Sequence, residues 1–336
     1  MRKPALAAAA FLAGGIAFLV ALWSPVSPTD PRPVTFYVVP GETLSEIAED
    51  LHRLGLVRHP DAFALLARVR RQSRSIQAGP YRASSGEWAW QILGRLISGD
   101  MRDTTVTVRE GLWIGEVSDV VGPFVAGGPD SFRSVVEDSG FCASVGVPLP
   151  RAEGFLFPST YRVLPGGPPE LVARRMVDEF WSVWAEGLAA RADSLEMTVA
   201  EVVTLASIVE AEARVAEERA RIAAVYLNRL AADRPLQADP TVLYGMGERK
   251  TRTLYDDLEH PSPYNTYLHA GLPPGPIGNP GRAALVAVLW PEPGCRDLYF
   301  VARGDGTHRF ARTYPEHQEN RRLVREEQRA RQEAAP

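Results

Sequence analysis

Two carboxylates stand two residues apart at the end of an apolar stretch, Ala206-Ser-Ile-Val-Glu210-Ala-Glu212. A carboxyl on an apolar flank can keep its proton near neutral pH, because desolvation disfavours the charged form. That is the requirement for protonating a leaving oxygen. At ~100° per residue, Val202, Leu205, Ala206, Val209 and Ala213 make one helical stripe. Glu210 and Glu212 then fall on opposite sides of it, each about 80° from its centre. Two carboxyls so placed do not readily face one scissile bond, so a catalytic one works without the other.

Three further segments carry groups suited to a sugar substrate. Leu236-Gln237-Ala-Asp239-Pro240 offers an amide and a carboxylate, and Tyr264-Asn265-Thr266-Tyr267 offers rings for stacking and polar groups for hydrogen bonds. Glu153-Gly-Phe-Leu-Phe-Pro-Ser-Thr-Tyr161 sets a third Glu in a Gly/Pro-bounded loop or short strand. Gln237, Asp239, Tyr264 and Asn265 either position acetamido groups and developing charge or organise their loops; Asp-Pro is a common turn initiator. Glu153 is either a second acidic site residue or a structural acceptor, and His308 and His317 read as structural. Six histidines without His-Glu-x-x-His spacing give no metal site, and no phosphate-binding glycine loop or Gly-x-Ser-x-Gly elbow calls for a cofactor.

These groups need elements to hold them. The pattern from Ala200 to Leu230 predicts a long helix or helix pair, and 262–277 is too rich in Pro and Gly for helix or central strand. Leu298–Arg303 reads as a strand leading to a Gly304-Asp-Gly306 turn, and Glu316–Ala335 as a charged, solvated helix. Upstream, Thr35–Val39 reads as a strand, Pro40-Gly41 as a turn, and Thr43 with Glu46 as a capping box opening a helix through Leu44, Ile47, Ala48 and Leu51. Further helices are expected over 61–71 and 88–98. Thr105–Arg109 alternates as a strand, and Glu110-Gly-Leu-Trp-Ile-Gly-Glu116 repeats the turn–helix design of Pro40-Gly-Glu-Thr-Leu-Ser-Glu46. The fold class is α+β.

Composition sets the surroundings. The 336 residues are 45% hydrophobic and 23% charged with a net charge of −4, which speaks against a dedicated nucleic-acid binder. The mean hydropathy of −0.13 excludes many spans but not one. From Pro4 to Trp23 no charge occurs, and about 20 apolar residues match a hydrocarbon core of about 30 Å. Arg2 and Lys3 before the run leave the N-terminus cytoplasmic and the rest of the chain outside. The competing reading, a cleaved signal peptide, has an apolar region of only about 7–15 residues. The expected organisation is an anchor over 1–24, a Pro-rich spacer over 25–34, a small module over 35–103 and a larger one over 104–336. Cys142 and Cys295 are either buried small hydrophobes or a pair.

The small module's strand, Pro-Gly-Glu-Thr-Leu turn and amphipathic helix resemble a LysM module, a binder of N-acetylglucosamine polymers. The whole chain resembles the MltG/YceG family of endolytic murein transglycosylases. The resemblance rests on the ordered motifs Glu153-Gly-Phe-Leu-Phe-Pro-x-Thr-Tyr161, Ala206-Ser-Ile-Val-Glu-x-Glu212, Leu236-Gln-x-Asp-Pro-Thr-Val-x-Tyr-Gly245 and Tyr264-Asn-Thr-Tyr…Gly-Leu-Pro-Pro-Gly-Pro-Ile277. It implies cleavage of the β-1,4 bond between N-acetylmuramic acid and N-acetylglucosamine in nascent glycan strands, leaving 1,6-anhydromuramyl ends. It also implies a wall-synthesis complex as partner, and it matches Glu210 to the family's catalytic Glu, with Glu212 adding to its pKa shift or pairing with an Arg. Ser159, where the family often has Asp, and Gln318, where Asn is usual, depart from the pattern. One carboxyl suffices for this chemistry: it protonates the glycosidic oxygen, then takes the proton of the muramyl C6 hydroxyl as that oxygen attacks the anomeric carbon. A hydrolase with Asp239 orienting water and a non-catalytic glycan-binding scaffold are the rivals.

Overall fold

A computed structural model describes residues 21–39, 41–99, 104–163, 165–250 and 253–333. The apolar run from Pro4 lies outside the described residues except for Ala21, Leu22 and Trp23, as does Pro40 of the first turn. Among the described residues no helix is long and apolar enough to cross a membrane. Helices joined to small two-stranded sheets make an α+β fold, in two compact units.

The first unit comprises residues up to Thr105 with Phe124–Ala126 and Arg162–Pro168. Strand β1 (Pro33–Val38) is followed by helices α1 (Leu44–Arg53) and α2 (Pro60–Val69), and β2 (Gly79–Ser84) returns antiparallel to β1 with Phe36 opposite Tyr81. Helix α3 (Ala89–Ser98) closes the unit and ends at Gly99 in the left-handed region, φ 64°. The expected capping box is present: Thr43 Oγ1 accepts from the Glu46 N–H, and Glu46 accepts from the Thr43 N–H. Phe36, Leu51, Phe63, Tyr81, Ile92 and Leu96 form the core. Trp23 and the Pro-rich residues after it are tied to this unit by hydrogen bonds. The Trp23 indole donates to the Ala62 carbonyl at 2.9 Å, Arg58 donates to the carbonyls of Pro25 and Val26, and Ser27 N–H donates to Ser85. Prolines there save chain entropy, and Arg58 satisfies the carbonyls they leave without strand partners.

The second unit holds Val106–Pro123, Gly127–Tyr161 and everything from Pro169. Strand β3 (Thr104–Thr107) pairs with β4 (Thr160–Val163), and between them lie α4 (Ile114–Val121), α5 (Gly128–Val136) and α6 (Ser139–Ser144). Helix α7 (Pro169–Val183) meets α8 (Ala189–Ser194) across a break at Gly187, φ 95°. Then α9 (Val199–Glu212) and α10 (Arg219–Ala231) form the predicted helix pair, followed by α11 (Asp239–Met246) and α12 (Arg282–Leu289). A hairpin of β5 (Tyr299–Ala302) and β6 (His308–Ala311) turns where Gly304-Asp-Gly306 is placed, and α13 (Tyr314–Glu333) packs on it.

Helix α9 departs from the single stripe expected of it. Residues 202–209 are all buried, because α10, α11 and α12 pack around it. Its polar members are satisfied locally: Ser207 Oγ donates to the Thr204 carbonyl at 2.7 Å and accepts the Ile277 N–H at 3.0 Å. The last helix is longer-rooted than a solvated tail, with Val324 buried and Glu327 bridging Arg303 and Arg309. Both cysteines are free thiols; Cys142 is fully buried with Sγ near the Val136 carbonyl.

Candidate active site

Helix α9 is central and rigid, and its last turn delivers both carboxyls. A helix C-terminus carries partial negative charge, so a carboxylate there needs compensation or keeps its proton. Glu210 and Glu212 meet different partners there.

Glu210 is compensated. Arg219 lies 3.2 Å from Oε1, and the Gly281 N–H donates to Oε2 at 3.0 Å. Its side chain is only 6% exposed, a buried ion pair. It borders an open groove of about 700 Å³ lined by Arg109, Glu110, Ser159 and Thr160. Burial, then the nearby Glu210 charge, raises the Glu110 carboxyl above its ordinary range, while Arg219 lowers it. A Cβ at Gly281 would lie 1.9 Å from Glu110 Oε1, so a larger residue there would displace the Glu110 side chain.

Glu212 is not compensated. Its partner is the neutral Tyr226 hydroxyl, donating to Oε1 at 2.9 Å, and no ion pair reaches it among the described residues. Burial pushes its carboxyl up to about 7; the Tyr226 hydrogen bond lowers it in part, and the Asp239 charge raises it further. It faces a separate cavity of about 270 Å³, so the two carboxyls do point apart, as their spacing requires.

That cavity gathers groups from five elements. Tyr226 and Arg229 come from α10, Asp239 from the first turn of α11, Tyr299 from β5, His308 from β6 and His317 from α13. Gln237 holds a left-handed conformation, φ 53°, fixed by its N–H to the Thr266 carbonyl, and its Oε1 accepts from Arg229. Tyr267 donates to Asp239 Oδ1 at 2.6 Å. His308 Nδ1 sits 2.7 Å from Glu218, whose other oxygen accepts the His308 N–H. Arg229 lies 5.5 Å over the Tyr299 ring. A proton-holding carboxyl beside amide and hydroxyl groups can grip and protonate a polyol.

The other expected residues lie elsewhere. Asn265 is fully buried, and its amide is spent on the carbonyls of Leu258 and His260, both at 2.9 Å; it organises its loop and cannot reach a substrate. Thr266 is likewise inside, bonding Ala238 N–H and Thr241. Tyr264 packs on Tyr244, 4.9 Å between centroids. Tyr244 in turn donates to Glu153, a buried hub that also accepts from Ile114 N–H at the start of α4 and from Asn279 Nδ2. Burial pushes the Glu153 carboxyl up to about 7, and the Ile114 and Tyr244 hydrogen bonds pull it down. Of the two readings of Glu153, the structural acceptor fits. Beside it, Gly154 at φ 87° lets Val203 and Pro276 approach within 2.6 and 2.5 Å of where a Cβ would stand. His308 and His317, read as structural, line the cavity. Tyr226, Arg229 and Tyr299 were not singled out, since an aromatic or Arg inside a helical or strand pattern carries no mark of its own.

Comparison with known proteins agrees with this architecture. A family model described as the YceG-like family matches residues 36–323. A Bacillus subtilis (strain 168) protein named endolytic murein transglycosylase is 32% identical over 325 residues, 91% of this chain and 89% of that one. A Streptococcus pneumoniae (strain D39) protein of the same name is 27% identical over 88% of this chain, which spans only 59% of that relative. A crystal structure of a yceG-like protein from Listeria monocytogenes superposes with a TM-score of 0.59 at 30% identity, covering 86% of this chain and 99% of that one. The chain belongs to the YceG-like family.

Proposed function

We propose that the protein is an endolytic murein transglycosylase in which Glu212 is the acid and then the base. The observation that carries the assignment is the state of the two carboxyls. Glu212 is desolvated, bonded only to a neutral phenol and directed into a cavity lined by polar and aromatic groups. Glu210, matched to the catalytic role by resemblance, has Arg219 at 3.2 Å and the Gly281 N–H at 3.0 Å as partners and borders a different groove. Glu210 ties the start of α10 and the start of α12 to the end of α9.

The reaction follows from this geometry. Protonated Glu212 gives its proton to the oxygen between N-acetylmuramic acid and N-acetylglucosamine, and the bond to the anomeric carbon breaks. The Glu212 carboxylate takes the proton of the muramyl C6 hydroxyl, whose oxygen closes on the anomeric carbon. An anhydro end forms, Glu212 regains its proton, and no water is consumed. Asp239 and Gln237, held by Tyr267 and Arg229, present a carboxylate and an amide to the sugar.

The remaining parts of the reading are proposals of the same standing. The apolar run that begins at Pro4 anchors the chain in the cytoplasmic membrane, ending before Trp23, which docks on the first unit, with the described units outside, where nascent strands and their synthases are met. The strand–helix–helix–strand order of the first unit supports a LysM-like module that binds glycan.

The test is Glu212→Gln beside Glu210→Gln, each incubated with purified glycan strands. Mass spectrometry should show anhydro ends from the wild type, and none from Glu212→Gln at a rate loss of about 10²–10⁴. Anhydro ends at wild-type yield from Glu212→Gln would overturn the assignment, and product ends heavier by one water would make the enzyme a hydrolase.

A further inference from the structure

Among the described residues, the polar side chains of the Glu212 cavity satisfy one another almost completely. Tyr226 serves Glu212, Tyr267 serves Asp239, Arg229 serves Gln237, and Glu218 holds His308. His317 is the exception: its Nδ1 is buried and has no hydrogen-bond partner.

The ring is held by its neighbours. His317 lies in the first turn of α13, its N–H bonded to the Thr313 carbonyl at 3.0 Å. Its ring stacks on Tyr299 with centroids 5.2 Å apart and planes at 24°, and Tyr314 stands 6.4 Å away. Burial, then the charges of Arg321 and Arg229, lowers the imidazole below its ordinary range; in the neutral ring Nδ1 is acceptor or donor according to tautomer. A buried polar atom left unmatched is costly and uncommon, and in a cavity otherwise satisfied it marks where an arriving group is expected.

We propose that His317 is a substrate-binding residue whose Nδ1 hydrogen-bonds a hydroxyl or acetamido group of the sugar held in the cavity beside Glu212. This rests on the cavity being the glycan site. His317 moves no proton of the reaction; it fixes the sugar while Glu212 does the chemistry.

Asparagine places a polar atom close to the position of histidine Nδ1, whereas glutamine places one near Nε2. In the non-turning-over Glu212→Gln protein, the dissociation constant for soluble, uncrosslinked glycan oligosaccharides is measured by calorimetry with His317 intact or changed to Ala, Asn or Gln. Ala and Gln should weaken binding about tenfold, and Asn should restore it to within about threefold. In the otherwise native enzyme His317→Ala should raise KM with kcat little changed, and its melting temperature should fall no further than that of His317→Asn. Equal binding by all four proteins would overturn the proposal. So would a loss of melting temperature that tracks the loss of binding, which assigns His317 to the fold. If Glu212→Gln itself turns over glycan, the site reading fails; if it is inactive and binding ignores His317, only this inference does.

Discussion

The sharpest consequence of the Glu212 assignment is the position of the alkaline limb of the rate profile. The first step needs the protonated acid, so kcat falls as pH rises through a folded-state value of about 7. At an ordinary 4.5 only about 1 carboxyl in 300 would carry its proton at neutral pH, against about half here, some 150-fold more acid. Two neighbours tune that value in opposite directions. The Tyr226 hydroxyl stabilises the ionised form through a 2.9 Å bond, and a hydrogen bond to a charged group is worth about 1.5–3 kcal/mol. At about 1.4 kcal/mol per pKa unit, Tyr226→Phe should move the limb up by about one to two units. The Asp239 charge raises Glu212, so Asp239→Asn should move the limb down. The assay is the initial rate of anhydro-end release from purified glycan across the neutral range, with saturating substrate so that the limb reports the complex. A limb that stays in place in both variants, or that moves with Glu210→Gln instead, refutes the reasoning.

Glu153→Gln should flatten the dependence of stability on pH. Its folded value near 7 exceeds the ordinary 4.5, so the stability tied to its protonated state is complete below 4.5 and lost as pH rises through 7; two and a half units amount to roughly 3 kcal/mol. Melting temperatures taken on either side of that window should converge in the variant, and an unchanged slope would remove Glu153 as its source. Arg219→Ala strands the Glu210 carboxyl, and losing one partner of a buried pair costs about 3–5 kcal/mol. Urea unfolding should show it, with Glu210→Gln in the same chain recovering most of the loss. Gly154→Ala combines a left-handed backbone with overlaps at Val203 and Pro276, about 3 kcal/mol or more together, read as a drop in melting temperature with the Glu153 hub as the first region to lose hydrogen-exchange protection.

Local chemistry was legible wherever neighbours in sequence decide it. Thr43 and Glu46 close their capping box within four residues, Gly304 and Gly306 make the hairpin turn, and the run from Ala200 to Leu230 becomes two helices because its residues carry helical spacing. The divergence of Glu210 and Glu212 was equally certain, since helix geometry alone separates them. Which of the two is buried without a cation beside it was not written there. It depends on Arg219 and Gly281 reaching one carboxyl, and on Tyr226 and Asp239 reaching the other, from segments up to 71 residues away. The same holds for Asn265, whose residue type suits a sugar but whose amide is consumed two turns of chain earlier by Leu258 and His260. It holds also for His308 and His317, unremarkable in a charged segment until the β5–β6 hairpin and the last helix carry them to one cavity. Sequence determined the elements and the family to which they belong, because spacing and turn chemistry act over a few residues. Tertiary structure alone decided the environment of each carboxyl, because desolvation and ion pairing depend on what distant chain is packed against it.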